Sequence, residues 1–276
     1  MTSILVRMSM MFTLLVLSSV TAPLLNAQIL PREHHPWGRF EPGSWKRVRI
    51  VTEMYDDRGE IAGVTTQETT TTLVEVKDAE LSLRVEAVRE VGGKRFVGAP
   101  QLIRQPILST EDEVSPQGTE TLKLSGRDVP VEVYTNNSPE AGGRRVDTLY
   151  YSDSLSPYVL KRISISQDDA GHALSQTESE TVAVGMPYKI LSETKTACYV
   201  RTIQRVGDLS KYTMEVQCES IPGGVVSHTS REEDQHGKVV RRSTLELLDY
   251  CVHRGEGETA PLPRRRPLFP RLRRRP

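Results

Sequence analysis

Cysteine is scarce in this chain, three in 276 residues, and no two of them stand in Cys-x-x-Cys spacing. A cysteine-built metal site is therefore not expected. Aromatic residues are also few, at 5%, and the apolar fraction is 37%. Such a composition builds a sheet with much wet surface rather than a thick core. Beyond the N-terminal segment no apolar run reaches the roughly 20 residues that a membrane-crossing helix requires. Sustained helical periodicity is missing as well; Gln101–Leu108 and Val184–Glu193 are the two stretches where a short helical turn is expected, and both contain proline. There is no His-Glu-x-x-His, no Gly-x-Ser-x-Gly and no phosphate-binding glycine loop. Asp56-Asp57 and Asp168-Asp169 are paired carboxylates, but at hairpin turns solvated Asp is the ordinary reading. With no nucleophile, base or metal set in view, the chain is expected to be non-catalytic and to need no cofactor.

What is present begins with an address. Arg7 is the one charge before an apolar run from Met8 to Val20, and Leu25-Asn26-Ala27 ends in a small residue. This is the pattern of a secretory signal peptide over residues 1–27, cut near Ala27–Gln28; the alternative is an uncleaved anchor. No Cys follows the run to receive a lipid. Export to the periplasm, the cell envelope or the extracellular space is expected. Residues 28–43 read as an extended arm, 44–253 as a β-sheet domain, and 254–276 as a disordered Arg/Pro-rich tail. Proline cannot join a ladder and like charges repel.

The formal charge of zero conceals a split. The tail holds eight Arg and two Glu, net +6, while residues 28–253 hold 27 basic and 34 acidic side chains, net −7. The tail residues Arg264, Arg265, Arg266, Arg271, Arg273, Arg274 and Arg275 are expected to bind an anionic polymer, lipid headgroups or the acidic body itself. Sequence-specific nucleic-acid binding is not expected from so acidic a body.

From Ser44 onward the hydrophobic pattern has period two, the signature of strands. Val48, Ile50 and Met54 share one face, with Trp45, Arg47, Arg49 and Glu53 on the other. Leu81, Leu83, Val85 and Ala87 alternate with Ser82, Arg84 and Glu86. Thr65–Thr72 is rich in β-branched side chains, which favour a pleated surface. Three segments share one plan: a proline-containing lead-in, a strand, an Asp-x-x-Gly turn and another strand. The turns end at Gly59, Gly171 and Gly237, and Ser154–Leu160 and Ser220–Val226 are matching lead-ins 66 residues apart. An internal repeat of hairpins is expected. Further turns are read at Gly92-Gly93, Ser125-Gly126 and Gly207-Asp208, with a polar loop over Asn136–Gly143. About ten or eleven strands in hairpin order follow. The fold class is mainly β: a curved antiparallel sheet or incomplete barrel with little helix.

Four other features bear on function. Pairing two strands about residue 208 sets Cys198 opposite Cys218, so a Cys198–Cys218 disulfide is expected, against an alternative of free buried thiols. His34 and His35 belong to a solvated arm, because adjacent side chains on extended backbone point apart. Trp37, Phe40 and Trp45 form a hydrophobic plug that pins the first strand, the alternative being an aromatic patch facing a ligand. Asn136-Asn137-Ser138 is an N-glycosylation acceptor, of consequence only in a eukaryotic secretory route.

Several segments carry a resemblance. They are Thr121–Arg127, Val131-Glu132-Val133-Tyr134, Leu149–Pro157, Cys198-Tyr199-Val200 and Cys218–Val226. Together, across about residues 44–250, they resemble bacterial periplasmic β-rich proteins of the outer-membrane lipoprotein-carrier superfamily and related exported proteins. The resemblance implies a curved, incomplete antiparallel barrel whose concave face, in the carriers, holds acyl chains. This chain departs in lacking the helices that plug the carrier cavity and in strands rich in Thr, Ser, Glu and Arg; no site residue carries over. The function expected is a non-catalytic binding or scaffold module of the envelope, with a lipid or another envelope component as partner. The alternatives are a carrier of lipid or lipoprotein acyl chains on a concave sheet, and a surface protein that binds an anionic polymer through its basic tail.

Overall fold

A chain that alternates polar and apolar residues between Asp-Gly punctuation folds by pairing each strand with the next. The computed structural model describes residues 31–77, 80–107, 114–140 and 142–253. The signal peptide expected over residues 1–27 and the tail expected from 254 onward lie outside the described residues. Fourteen strands are present: β1 Trp45–Tyr55, β2 Ile61–Val76, β3 Glu80–Val91, β4 Lys94–Val97, β5 Gln101–Pro106, β6 Val114–Leu124, β7 Arg127–Glu140, β8 Gly143–Tyr151, β9 Val159–Asp168, β10 Ala173–Ile190, β11 Glu193–Val206, β12 Leu209–Gln217, β13 Val225–Glu233 and β14 Val239–Cys251. They form one antiparallel sheet in the order β4-β3-β2-β1-β14-β13-β12-β11-β10-β9-β8-β7-β6, with β5 beside β4 along β3. The sheet is open, since its two ends do not pair. It curls at one side, where β6 comes within contact distance of β10 and Leu124 packs with Val131, Leu160 and Val184.

The three Asp turns close alike. The Gly59, Gly171 and Gly237 N–H groups donate to the carbonyls of Asp56, Asp168 and Asp234 at 3.0, 3.0 and 2.9 Å. Each aspartate's Oδ1 also accepts the N–H four residues on, at 2.9, 2.8 and 3.0 Å. The glycines sit at φ 81, 87 and 77°, where a Cβ is strained. The lead-ins match too: Ser152 N–H donates to the Tyr158 carbonyl and Cys218 N–H to that of Gly224, each at 2.8 Å, with Tyr158 and Gly224 both at φ 69°.

Several expectations are corrected. There are fourteen strands, not ten or eleven. Of the stretch Gln101–Leu108, Gln101–Pro106 holds no helical turn: it forms the outer strand β5, where the N–H that Pro106 lacks is not needed by a further neighbour, and Leu108 lies outside the described residues. Val184–Ile190 is likewise strand, and Leu191-Ser192 is the two-residue turn into β11. β9 pairs with β10 only as far as Glu180, so Pro187 faces one partner, β11, and its missing N–H falls on the free side. The polar loop expected over Asn136–Gly143 is mostly strand, since β7 runs to Glu140. Asn136 is 1% exposed, opposite Asp147, so the glycosylation acceptor is not at the surface.

The expected disulfide is also absent. Gly207-Asp208 is a two-residue turn with Val206 paired to Leu209, so Cys198 stands opposite Gln217 rather than Cys218. The expected register is off by one residue, which sends adjacent side chains to opposite faces. Cys198, Cys218 and Cys251 are free thiols.

The apolar core is small and lies at the lead-in end of the sheet. Trp37 and Phe40 pack on Leu73, Leu81, Leu83 and Ile107, so these two form a plug, set against β2 and β3 rather than β1, and Trp45, expected in it, is a half-buried residue of β1 outside the cluster. The arm before β1 contains one 3-10 turn, Arg32–His34, and then crosses the sheet. His34 stacks on Tyr158 at 3.7 Å, Arg39 pairs with Glu219, and Trp37 lies on Gly223. His35 is 2% exposed, which corrects the reading of a solvated arm.

Two glycines separate backbone strain from packing. A Cβ on Gly237 meets nothing within 4 Å, whereas one on Gly223 meets the Trp37 ring at 2.7 Å. Gly237→Val should cost about 1–2 kcal/mol through backbone strain alone. Gly223→Ala, the smaller change, should cost more because it also displaces the arm. Urea midpoints of the two variants decide this; a smaller loss for Gly223→Ala would contradict the docking described.

Candidate functional site

In an antiparallel sheet, residues directly opposite one another project to the same face. Following the pairs across the sheet gives an unbroken row of hydroxyls: Thr65 on β2, Thr52 on β1, Ser243 on β14, Ser230 on β13, Thr213 on β12, Thr202 on β11 and Ser179 on β10. At a strand spacing of about 4.8 Å the row spans roughly 29 Å. Arg162 on β9 continues it. Each Asp-turn hairpin carries an opposed hydroxyl pair at the same two places, four residues before the Asp and nine after: Thr52 with Thr65, Ser164 with Thr177, and Ser230 with Ser243.

This face is the sheltered one. Ser230 is buried, the other row residues are half-buried, and their strand neighbours Thr229, Arg231, Arg242 and Thr244 are exposed. Among the described residues no helix covers either face, so the shelter comes from the curl of the sheet and from the arm. The opposite face carries exposed ion pairs such as Arg49 with Glu68 and Glu246, and Arg201 with Glu180.

The row ends at a buried polar cluster on β7–β10. Asp147 is 1% exposed and is held by Arg162 at 3.0 Å, by Arg145 at 3.2 Å and by the Ser164 hydroxyl. Arg145 also reaches Ser164 at 3.5 Å, and Asn136 stands directly opposite Asp147. Two guanidinium groups thus converge on one carboxylate. Asn136 Oδ1, Asp147 Oδ2, Arg162 Nη1 and Thr181 Oγ1 are buried and find no hydrogen-bond partner among the described residues. The 3.2 Å approach of Arg145 Nε to Asp147 Oδ2 is an ion-pair contact without hydrogen-bond geometry. Orphaned buried groups are uncommon and call for a guest or a reason.

Within two cross-strand rows of the hydroxyls, from β3 to β7, the inward charges are Arg89, Arg241, Lys211, Arg162 and Arg145. They face Glu232, Glu215, Asp147 and Glu132. That is five bases against four acids, in a body that carries 27 bases and 34 acids. His228 lies on the same face, beside Glu215. Lower down, Lys46 donates to the Gly223 and Val225 carbonyls at 3.2 and 3.1 Å, and burial, opposed by nearby Glu215, pulls its ammonium down to about 8.

Of the site residues expected from sequence, Cys198 and Cys218 are buried, and burial pushes the Cys198 thiol up to about 12, which makes it unreactive. The arginines of the tail lie outside the described residues. Among the described residues no group of three or more His, Cys, Asp or Glu is placed to hold a metal, and no helix is long and apolar enough to cross a membrane. Sequence reasoning missed the hydroxyl row and the Asp147 cluster, although Ser and Thr at fixed offsets from each turn Asp were available as a signal.

No family model matches the sequence, and no curated protein matches it. Among solved structures, the chain is similar to a candidate exported protein with YmcC-like fold from Bacteroides fragilis, at 10% identity over 76% of this chain and 99% of that one, with a TM-score of 0.31. It is similar to a candidate lipoprotein from Parabacteroides distasonis at 10% identity, over 79% and 98% of the two chains, with a TM-score of 0.31. A third likeness is to MucB in complex with MucA(peri), at 11% identity over 74% and 88%, with a TM-score of 0.17.

Two buried histidines give the fold a pH response. Burial brings His35 and His228 down to about 4, for His228 with help from Lys211. The Trp37 N–H donates to His35 Nδ1 at 3.2 Å, which also requires a neutral ring. Both groups bind fewer protons folded than unfolded, so stability is full above the unfolded value near 6.5 and is lost as pH falls toward 4. Urea unfolding at pH 7, 5.5 and 4 should show a loss on the order of a few kcal/mol. His228→Gln should flatten the slope, and an unchanged slope would contradict this assignment. The turn carboxylates of Asp56, Asp168 and Asp234, held low by backbone N–H groups, act in a lower window.

Proposed function

We propose that this chain is an exported, non-catalytic binding or scaffold module of the cell envelope, and that the sheltered face of its sheet is the binding surface. The observation that carries the reading is the row of hydroxyls across seven adjacent strands, Thr65 to Ser179, on the half-buried face. Hydroxyls at this density suit a partner that offers hydrogen bonds along its length. The pattern at residues 1–27 supports export.

Carriage of acyl chains, the first alternative, requires an apolar inner surface. Here the apolar cluster Leu73, Leu81, Leu83 and Ile107 on that surface is already occupied by Trp37 and Phe40 of the arm. What remains mixes apolar residues such as Ile50, Leu245 and Val200 with the hydroxyl row and with Arg241, Glu232, Lys211 and Glu215, polar groups that an acyl chain would desolvate without compensation. A second reading is favoured by the charge split of −7 against +6: the tail arginines bring the module to an anionic polymer or to lipid headgroups.

Native mass spectrometry of protein extracted from its own envelope tests these readings, using the full chain and a form ending at His253. A polar chain or envelope component carried by both forms is the expected result. An anionic polymer held only by the full chain would assign binding to the tail. A fatty acid or lipid in both forms would overturn the proposal in favour of the carrier.

A further inference from the structure

We propose that the sheltered face binds an acidic, hydroxyl-rich oligosaccharide, with a carboxylate of the ligand at Arg145 and Arg162 and its hydroxyls along the Ser/Thr row. The inference rests on the reading of this face as the binding surface and adds the chemical class of the ligand.

Three independent observations converge on it. The first is the row itself. A Ser or Thr hydroxyl both donates and accepts, so a line of them is matched by groups that do the same, namely other hydroxyls. A peptide strand presents donors and acceptors at fixed alternate positions and pairs with sheet edges rather than with a face.

The second is the set of orphans beside the row. Asn136 Oδ1 and Asp147 Oδ2 are acceptors without a donor, and Arg162 Nη1 and Thr181 Oγ1 are donors without an acceptor. Asn136, Asp147, Arg162 and Thr181 are each at most 8% exposed. Adjacent hydroxyls of a sugar satisfy both kinds at once, donating to the carboxylate or amide oxygen while accepting from the guanidinium. An apolar guest satisfies neither.

The third is charge. Arg145 and Arg162 share the single carboxylate of Asp147, which leaves one positive charge uncompensated. Arg145 is the open member, with 15% of its side chain exposed against 9% for Arg162. Around the hydroxyl row the sheltered face carries five bases against four acids, in a body that is acidic as a whole. A planar guanidinium pairs with a carboxylate through two parallel hydrogen bonds, and that geometry selects uronate over neutral sugar.

The test is titration calorimetry on the full chain with four probes: a galacturonate hexamer, a neutral galactose hexamer, a glutamate hexamer and palmitate. The basic tail is common to every arm, so differences between variants report on the sheet. Galacturonate should bind best, and Arg145→Gln should weaken it about tenfold, the loss of one charge-assisted contact. The neutral hexamer should bind more weakly and be indifferent to Arg145→Gln. Thr202→Val with Thr213→Val should weaken both sugars, and this pair keeps the test in force if Arg145→Gln does not fold. Neutral and acidic hexamers bound equally, or a glutamate hexamer bound as well as galacturonate, would overturn the acidic-sugar assignment while leaving the binding face in place. Palmitate bound alone would overturn both. So would the absence of any effect of the threonine pair on any probe.

Discussion

The constraint on which the rest of this protein depends is that, among the described residues, one long sheet has no helical layer over it. An apolar sheet face needs a partner layer. Here the partner is made from the sheet's own curl and from some ten residues of arm. Where the arm lies, the face is apolar: Trp37 and Phe40 cover Leu73, Leu81, Leu83 and Ile107. Where it does not, the face is mixed, with Ser, Thr and charged residues set among apolar ones such as Ile50 and Leu245. The distribution of Leu against Thr along β2, from Thr65 to Leu73, follows where cover is available.

The arm is held by directional contacts that fit only one docked position. Gly223 at φ 71° leaves room for the Trp37 ring, which any Cβ at that position would strike. The Gly223 N–H donates to the Pro36 carbonyl at 3.0 Å, and His34 donates to or accepts from the Tyr151 hydroxyl at 2.7 Å. Above the arm, the half-sheltered hydroxyl row runs into the buried Asp147 cluster. A buried ion pair contributes little net stability and is retained where it fixes geometry. Two arginines on one aspartate, with orphaned atoms around them, fit a surface prepared for a polar guest better than one tuned for stability.

Much of the architecture was legible in the sequence, because period-two alternation and Asp-x-x-Gly turns are local signals. The faces of β1 and β3 and the plug role of Trp37 and Phe40 could be read directly. The errors came from non-local causes. Strand number was underestimated because β5 and the far half of β10 tolerate proline only through their position at a free side, which no local pattern reveals. The Cys198 register failed by one residue, a difference set by a two-residue turn. His35 was read as solvated because its burial depends on contacts far along the chain. The inner site was missed for the same reason: the row from Thr65 to Ser179 exists only once seven strands are laid side by side in register.

The central claim is that the arm, and not a helical layer, closes the lead-in end of the inner face. Hydrogen-exchange mass spectrometry of Trp37→Ala against the unaltered chain tests it most directly. The account predicts faster exchange at Leu73–Val76 and Glu80–Leu83, where the arm packs, with β7–β9 above Tyr151 protected as before. Unchanged exchange at Leu73–Leu83, or a uniform rise through the whole sheet, would contradict it.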